Sequence, residues 1–461
     1  MPPVCSASSS ASPDFPEAVG PTRTIAFPSG FEVQRKELLF SFREISVSAI
    51  SLFRPFRGVR PVPSRAAEVI APPYDVLDTR EARKKASGKP YSFLHISKAE
   101  IDLPEGTDPY APAVYEKSAE NYRKMLENGI LKQDQKPCYY VYRAVMGDHV
   151  QTGLAVAASV AAYDENRIRR HEFTRIDKED DRVRQIDALS AQTGPVLLAY
   201  HQIPEVDAVI RRTVEKAPAY DVAGDNDIRH ALWVVDEDRD IMALTEAFDR
   251  QQAVYIADGH HRSAAASRVA KSRAARNPNA SGDEEYNSFL AVAFPVEEMK
   301  IFDYNRLVKD LNGMDADDLI QALAERFVIL PTDKSPVSPD RPHTFGMYVD
   351  GQWYKLGLKE LPETDDPVKL LDVSLLSDLV LSPLLGIQDP RTDKRIDFVG
   401  GIRGLKELEQ RVDQGKAAVA FSMYPTRMEE LIAVADSGQV MPPKSTWFEP
   451  KLADGMVSNP I

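Results

Sequence analysis

The chain has 461 residues, 43% hydrophobic and 28% charged, which is enough apolar material for two or three cores and excludes disorder throughout. Lys and Arg total 57 against 70 Asp and Glu, and the net charge of -13 excludes a global attraction for nucleic acid or an anionic membrane, so any anion site must be local. Only Cys5 and Cys138 are present, no run reaches the roughly 18 apolar residues of a membrane helix, and the N-terminus lacks the basic and long apolar regions of a secretory signal; a cytoplasmic protein is expected.

Residues 1–50 begin Ser-Ala-Ser-Ser-Ser-Ala-Ser-Pro from Ser6 and show no sustained periodicity, so a disordered extension or an early start is expected there. A transit peptide is the weaker reading, because Asp14, Glu17, Glu32 and Glu37 interrupt a segment that should be poor in acids. Order is expected from Phe53. Pro72 and Pro73 stiffen the run before Tyr74 and Asp75 and remove two backbone donors, which suits an edge strand or a pocket wall. Helical spacing covers 110–131, stopped by Asn128-Gly129. Strands are predicted over 138–146, 153–162, 195–200, 230–235, 289–294, 344–349 and 353–358, and helices over 241–248, 316–327 and 370–385. This order gives an α+β fold of mixed sheets with flanking helices, without the alternation of a doubly wound sheet or a barrel. The expected division is an α+β core over 51–300 and a C-terminal α+β region over 301–461 packed on it.

The densest signal is Ala253 through Arg262, an apolar strand entering Asp258-Gly259-His260-His261-Arg262 and then, from Ser263, an alanine-rich helix. Free N–H groups and the positive dipole end of a helix start attract anions, and glycine admits close approach of a ligand. Arg262 is suited to clamp phosphate oxygens, and His260 or His261 to donate a hydrogen bond or a proton. A bland reading exists: Asp258 as helix cap, Gly259 as turn residue, and the histidines bonded to neighbouring loops. Five polar or glycine residues at one strand-to-helix junction favour the functional reading, since such clusters are costly unless used. As a turn-surface residue, Arg262 is expected to be removable without loss of the fold.

The run Tyr255 through Ala265 resembles the signature of domain-of-unknown-function family 1015. Five further segments agree: 55–60, 71–76, 171–174, 178–182 and 441–451, so the resemblance spans about 53–457. Where that family has a His-Arg pair, this chain has Tyr304-Asn305-Arg306. The Asp-Gly-His-His-Arg turn is also similar to the phosphate-binding motif of the ParB and sulfiredoxin superfamily, which includes kinases of free serine. That similarity implies ParB/sulfiredoxin-like core elements, with Asp258, Gly259, His260, His261 and Arg262 facing a nucleotide or transferred phosphate.

A second constellation runs from Arg169 to Arg184. A zinc-protease helix is excluded, because position 175 is Arg where a second histidine is needed four residues after His171. The bland reading is a solvated helix face laced with surface ion pairs. The functional reading gives His171 and Glu172 acid/base or metal-binding work and Lys178 and Arg182 the neutralisation of phosphate charge, with Ser263 a further phosphate contact and Mg²⁺ assisting. The metal's ligands are unknown. Tyr74 and Asp75, and Lys444-Ser445-Thr446, are candidate pocket residues, and Trp233, Trp353 and Trp447 are expected in cores or pocket walls.

Together these point to a small-molecule phosphotransferase, with free serine or a related hydroxy metabolite as acceptor and ATP, ADP or pyrophosphate as donor. A nucleotide-binding regulatory protein without turnover and a phosphohydrolase remain open alternatives. The partner is a small molecule; a membrane is not expected and nucleic acid is disfavoured by the charge. Oligomeric state is not legible.

Overall fold

The computed structural model describes residues 50–332 and 336–461. The extension expected over 1–50 therefore lies outside the described residues, apart from Ile50.

Hydrophobic runs that alternate little make the strands of a nine-stranded mixed sheet, in the order Ile168–Arg169, Val254–Asp258, Val196–Tyr200, Ser288–Pro295, His149–Ser159, Tyr139–Met146, Ile228–Val235 and Tyr220–Ala223, with Phe53–Arg54 added to His149–Ser159. Two of its pairings are parallel, Val254–Asp258 with Ile168–Arg169 and Ser288–Pro295 with Val196–Tyr200. The absence of alternation has a physical cause: both faces are covered. Tyr139 and Val141 point into one core with Phe248, Val206 and Ala266 from the helices, while Tyr140 and Tyr142 point into the other. That second core continues through Phe448 and Leu452 to Val308, Phe421 and Leu431. A six-stranded antiparallel sheet carries Val308 and Phe421, in the order Phe327–Pro331, Gln352–Leu358, Thr344–Val349, Val419–Met423, Tyr304–Val308 and Ile396–Gly400, and Leu431 comes from helix Met428–Asp436. The fold is α+β.

Several expected elements shift, each for a local reason. The strand expected to reach 162 ends at Ser159, whose hydroxyl accepts the Ala162 N–H and caps helix Val160–Asp164. The helix expected over 316–327 stops at Leu323, because Phe327 opens a strand paired with Leu358. The helical stretch expected over 370–385 is a short helix, Asp372–Leu376, followed by a π-helical turn, Ser377–Leu381. Among the described residues no helix is long and apolar enough to cross a membrane.

Residues 441–461 return across the large sheet. The Met441 N–H donates to the His171 carbonyl at 2.8 Å, Ala71 and Asp454 exchange backbone hydrogen bonds, Val59 and Ser458 do the same, and the Ile461 N–H reaches the Ser190 carbonyl at 3.0 Å. This return brings C-terminal side chains to the end of strand Val254–Asp258.

Candidate active site

Strand Val254–Asp258 ends where Gly259 takes φ 99, and helix His260–Arg276 begins one residue later. The helix thus starts three residues before the Ser263 expected from the sequence, and both histidines and Arg262 occupy its first turn. Gly259 is required here twice over. Its φ is left-handed, and a Cβ would lie 3.2 Å from both the Val196 Cα and the Arg262 Nε.

Arg262 is not a turn-surface residue. Its side chain is 11% exposed, donates to the Pro195 carbonyl, and lies 3.4 Å from Asp75 Oδ2 and 3.8 Å from Asp258 Oδ1. Burial opposes its charge, but Asp75 and Asp258 outweigh that and hold the guanidinium above its ordinary pKa. Asp258 also accepts from Lys451 Nζ at 3.2 Å. Burial alone would raise the Asp258 carboxyl; Lys451 and then Arg262 hold it well below the usual carboxylate range. Lys451, over the Trp447 ring at 5.4 Å, is raised in turn by Asp258, Asp75 and Glu449 against its own burial.

Beside this ion cluster the two buried histidines meet edge to face, ring centroids 4.5 Å apart. The His171 N–H donates to His260 Nε2 at 3.4 Å, which leaves the His260 proton on Nδ1, 3.6 Å from Glu172 Oε2. Burial pushes His171 down to about 4, and burial with His171 as neighbour pushes His260 well below its ordinary value, so both imidazoles are neutral near pH 7. Burial and Asp258 raise the Glu172 carboxyl. His261 is committed elsewhere: its Nε2 accepts the Arg175 N–H at 3.0 Å and fastens the loop before helix Ile176–Leu189.

A cavity of about 890 Å³ opens here, and its wall brings together Tyr74, Asp75, His171, Glu172, Asp258, Gly259, His260, His261, Arg262, Lys444, Ser445 and Thr446 from four separate stretches of sequence. Pro72, Pro73 and Trp447 also line it, while Trp233 and Trp353 are buried. Lys444 has φ 59 and places Nζ 5.5 Å over the Tyr304 ring, its carbonyl accepting from Arg306. Ser445 turns its hydroxyl to the Pro442 carbonyl.

Three expected residues stand outside this wall. Ser263 is buried and donates to the His260 carbonyl at 3.0 Å. Lys178 reaches the Tyr110 hydroxyl at 2.6 Å. Arg182 is paired with Asp181 and stacked 4.0 Å over Tyr74, so it supports that ring from behind and lines a small adjoining pocket with Arg262. Two important residues were not singled out in the sequence. Lys451 closes the run 441–451 already noted, so its signal was present. Asp454 gave none: it is buried beside Arg262, its carboxyl oxygens lack hydrogen-bond partners, and burial lifts it to about 7. Among the described residues no three His, Cys, Asp or Glu are grouped to hold a metal ion, and Asp258 is already engaged by two cations. The expected Mg²⁺ is therefore given no donor set among the described residues.

The family described as "protein of unknown function (DUF1015)" matches residues 53–374. The chain belongs to the DUF1015 family. No curated protein matches this DUF1015 chain. Among solved structures it is similar to a free serine kinase in complex with AMP (12% identity, TM-score 0.31, covering 64% of this chain and 86% of that one). It is also similar to a C-terminally truncated SbnI from Staphylococcus aureus (12% identity, TM-score 0.35, 65% and 85%). A conserved hypothetical protein from Pyrococcus furiosus gives 15% identity and a TM-score of 0.31, covering 67% and 96%. These likenesses are distant.

Proposed function

We propose that this protein is a phosphotransferase that moves a phosphoryl group from a nucleotide or pyrophosphate to the hydroxyl of a small metabolite, free serine being the first acceptor to try. The observation that carries the reading is the cluster at the start of helix His260–Arg276: Arg262 and Lys451, both charged and largely withdrawn from water, meet Asp258 at the wall of a cavity large enough for a donor and a small acceptor. A phosphoryl group in transfer carries charge on its equatorial oxygens, and fixed cations in a sheltered cleft stabilise it far more than in water. Arg262 supplies a guanidinium and Lys451 a point charge.

The proton of the acceptor hydroxyl needs somewhere to go. Glu172 faces the cavity with a raised pKa and lies near His260 Nδ1, so it is placed to accept that proton as the oxygen–phosphorus bond forms and the donor's bridging bond breaks. Asp258 holds the two cations in place, and neutral His171 and His260 shape the wall without adding charge. The likeness of the Asp258–Arg262 run to the ParB and sulfiredoxin phosphate motif favours the same reading.

Purified protein offered ATP, ADP or pyrophosphate with free serine and other hydroxy acids, with and without Mg²⁺, is expected to yield a phosphorylated acceptor detectable by ³¹P NMR and mass spectrometry. Phosphate release without an acceptor product would replace the transferase with a hydrolase. Ligand binding with no product at all would leave a nucleotide-dependent regulator.

A further inference from the structure

The cavity continues beneath the hairpin of Tyr220–Ala223 and Ile228–Val235, where Gly224 and His230 line it. His230 is 3% exposed and faces the cavity. Its Nδ1 lies 2.8 Å from the Tyr142 hydroxyl, and that hydroxyl accepts the Ala453 N–H at 3.2 Å. The hydroxyl has one hydrogen to give, and its other neighbour is a donor. The hydrogen therefore goes to Nδ1, which places the imidazole proton on Nε2. Burial pushes His230 down to about 4, so the ring stays neutral near pH 7. Among the described residues Nε2 has no hydrogen-bond partner.

Gly224 keeps that nitrogen open. A Cβ at this position would lie 2.8 Å from both Nε2 and Cδ2 of His230, and its φ is not left-handed, so the glycine serves space rather than a turn. Ile70, Leu77 and Ile228 line the cavity with it, and the Lys85–Asp225 ion pair at 2.6 Å joins helix Thr79–Ala86 to the hairpin turn. With Lys85 taken up by Asp225, the buried neutral Nε2 donor beside Ile70, Leu77 and Ile228 suits an uncharged ring nitrogen or carbonyl on a flat heterocycle better than it suits a phosphate. One stretch of chain serves both ends of the cavity: Lys451 binds Asp258 and Ala453 binds Tyr142.

We infer that His230 and Gly224 form the recognition edge for the base of a nucleoside phosphate whose phosphates meet Arg262 and Lys451. This rests on the phosphate-handling reading above and narrows it: the donor is a nucleoside phosphate, and pyrophosphate, which has no neutral end, is the poorer ligand.

Calorimetric titration of the full-length protein with AMP, ADP, ribose 5-phosphate and pyrophosphate tests this. AMP is expected to bind at least about tenfold more tightly than ribose 5-phosphate, the range of one hydrogen bond plus burial of a base. His230→Ala and Gly224→Ala are each expected to erase that difference and leave ribose 5-phosphate affinity unchanged, with melting temperatures recorded for both. Equal affinity of the native protein for AMP and ribose 5-phosphate overturns the inference while leaving the phosphate site standing; that comparison needs no variant to fold. Binding of none of these anions overturns the phosphate reading itself, and the inference with it.

Discussion

Replacing Arg262 with alanine separates two views of the Asp258–Arg262 turn. If the arginine sat on the surface, its loss would barely touch stability. In the structure it lies 3.4 Å from Asp75 and 3.8 Å from Asp258 and caps the Pro195 carbonyl. At an effective dielectric of about 20, two such pairs are each worth about 4 to 5 kcal/mol before desolvation. Desolvation of the three groups cancels much of that, and Asp75, 40% exposed, is partly screened. What remains on truncation is chiefly the penalty of leaving Asp258 and the Pro195 carbonyl short of a partner, about 3 kcal/mol. Arg262→Ala should therefore lose both phosphate affinity and about 3 kcal/mol in urea denaturation, whereas Arg262→Lys should recover most of the stability and little of the affinity, because the guanidinium is gone. An alanine variant as stable as the native protein and equally able to bind phosphate would refute the placement of Arg262 at the centre of the site.

Four further outcomes are expected. Lys451→Met should destabilise by about 2 kcal/mol through the lost charge-assisted bond to Asp258. Asp258 has a folded pKa below its unfolded value, so its contribution is present above about pH 4 and fades as pH falls through the folded value; the deficit of Lys451→Met in pH-dependent denaturation should close in acid. Glu172→Gln should lower turnover by about 100-fold or more while ligand affinity stays, and the acid limb of native kcat/KM should lie above the ordinary glutamate value. Gly259→Ala, forced to a left-handed φ with its Cβ against Arg262, should cost about 1 to 2 kcal/mol and weaken phosphate binding, read by thermal melts and titration. Asp454→Asn should stabilise the protein at pH 8 and less at pH 4: the buried carboxyl has a folded pKa of about 7 against about 3.9 unfolded, so its penalty is absent in acid and complete above neutrality.

The strand-to-helix turn was legible because its parts are adjacent: an apolar run, a glycine and a helix-forming stretch describe Val254–Asp258, Gly259 and His260–Arg276 almost by themselves. The helix start was placed late because His260 and His261 read as polar turn residues, whereas the structure gives each a hydrogen-bond partner from residues 171–175, far away in sequence. Lys178 and Arg182 looked equivalent to the cavity residues for the opposite reason. Charge density in sequence does not say which face of helix Ile176–Leu189 a side chain takes, and these two turn to Tyr110 and to Tyr74 with Asp181. Asp454 was invisible, since an aspartate between Ala453 and Gly455 has no local feature that announces burial.

The contribution of residues 441–461 shows why such a site cannot be read from one motif. The Asp258 carboxylate alone would sit beside a single cation, Arg262, that Asp75 also claims. Lys451 arrives from 193 positions away as a second cation on Asp258, so that Arg262 and Lys451 together match Asp75 and Asp258. The same return puts the Met441 N–H on the His171 carbonyl and the Ala453 N–H on the Tyr142 hydroxyl, so the segment that supplies the second cation also orients both histidine-bearing walls. Loosening this segment should therefore impair phosphate binding at Arg262 and base recognition at His230 together, although the two ends share no side chain.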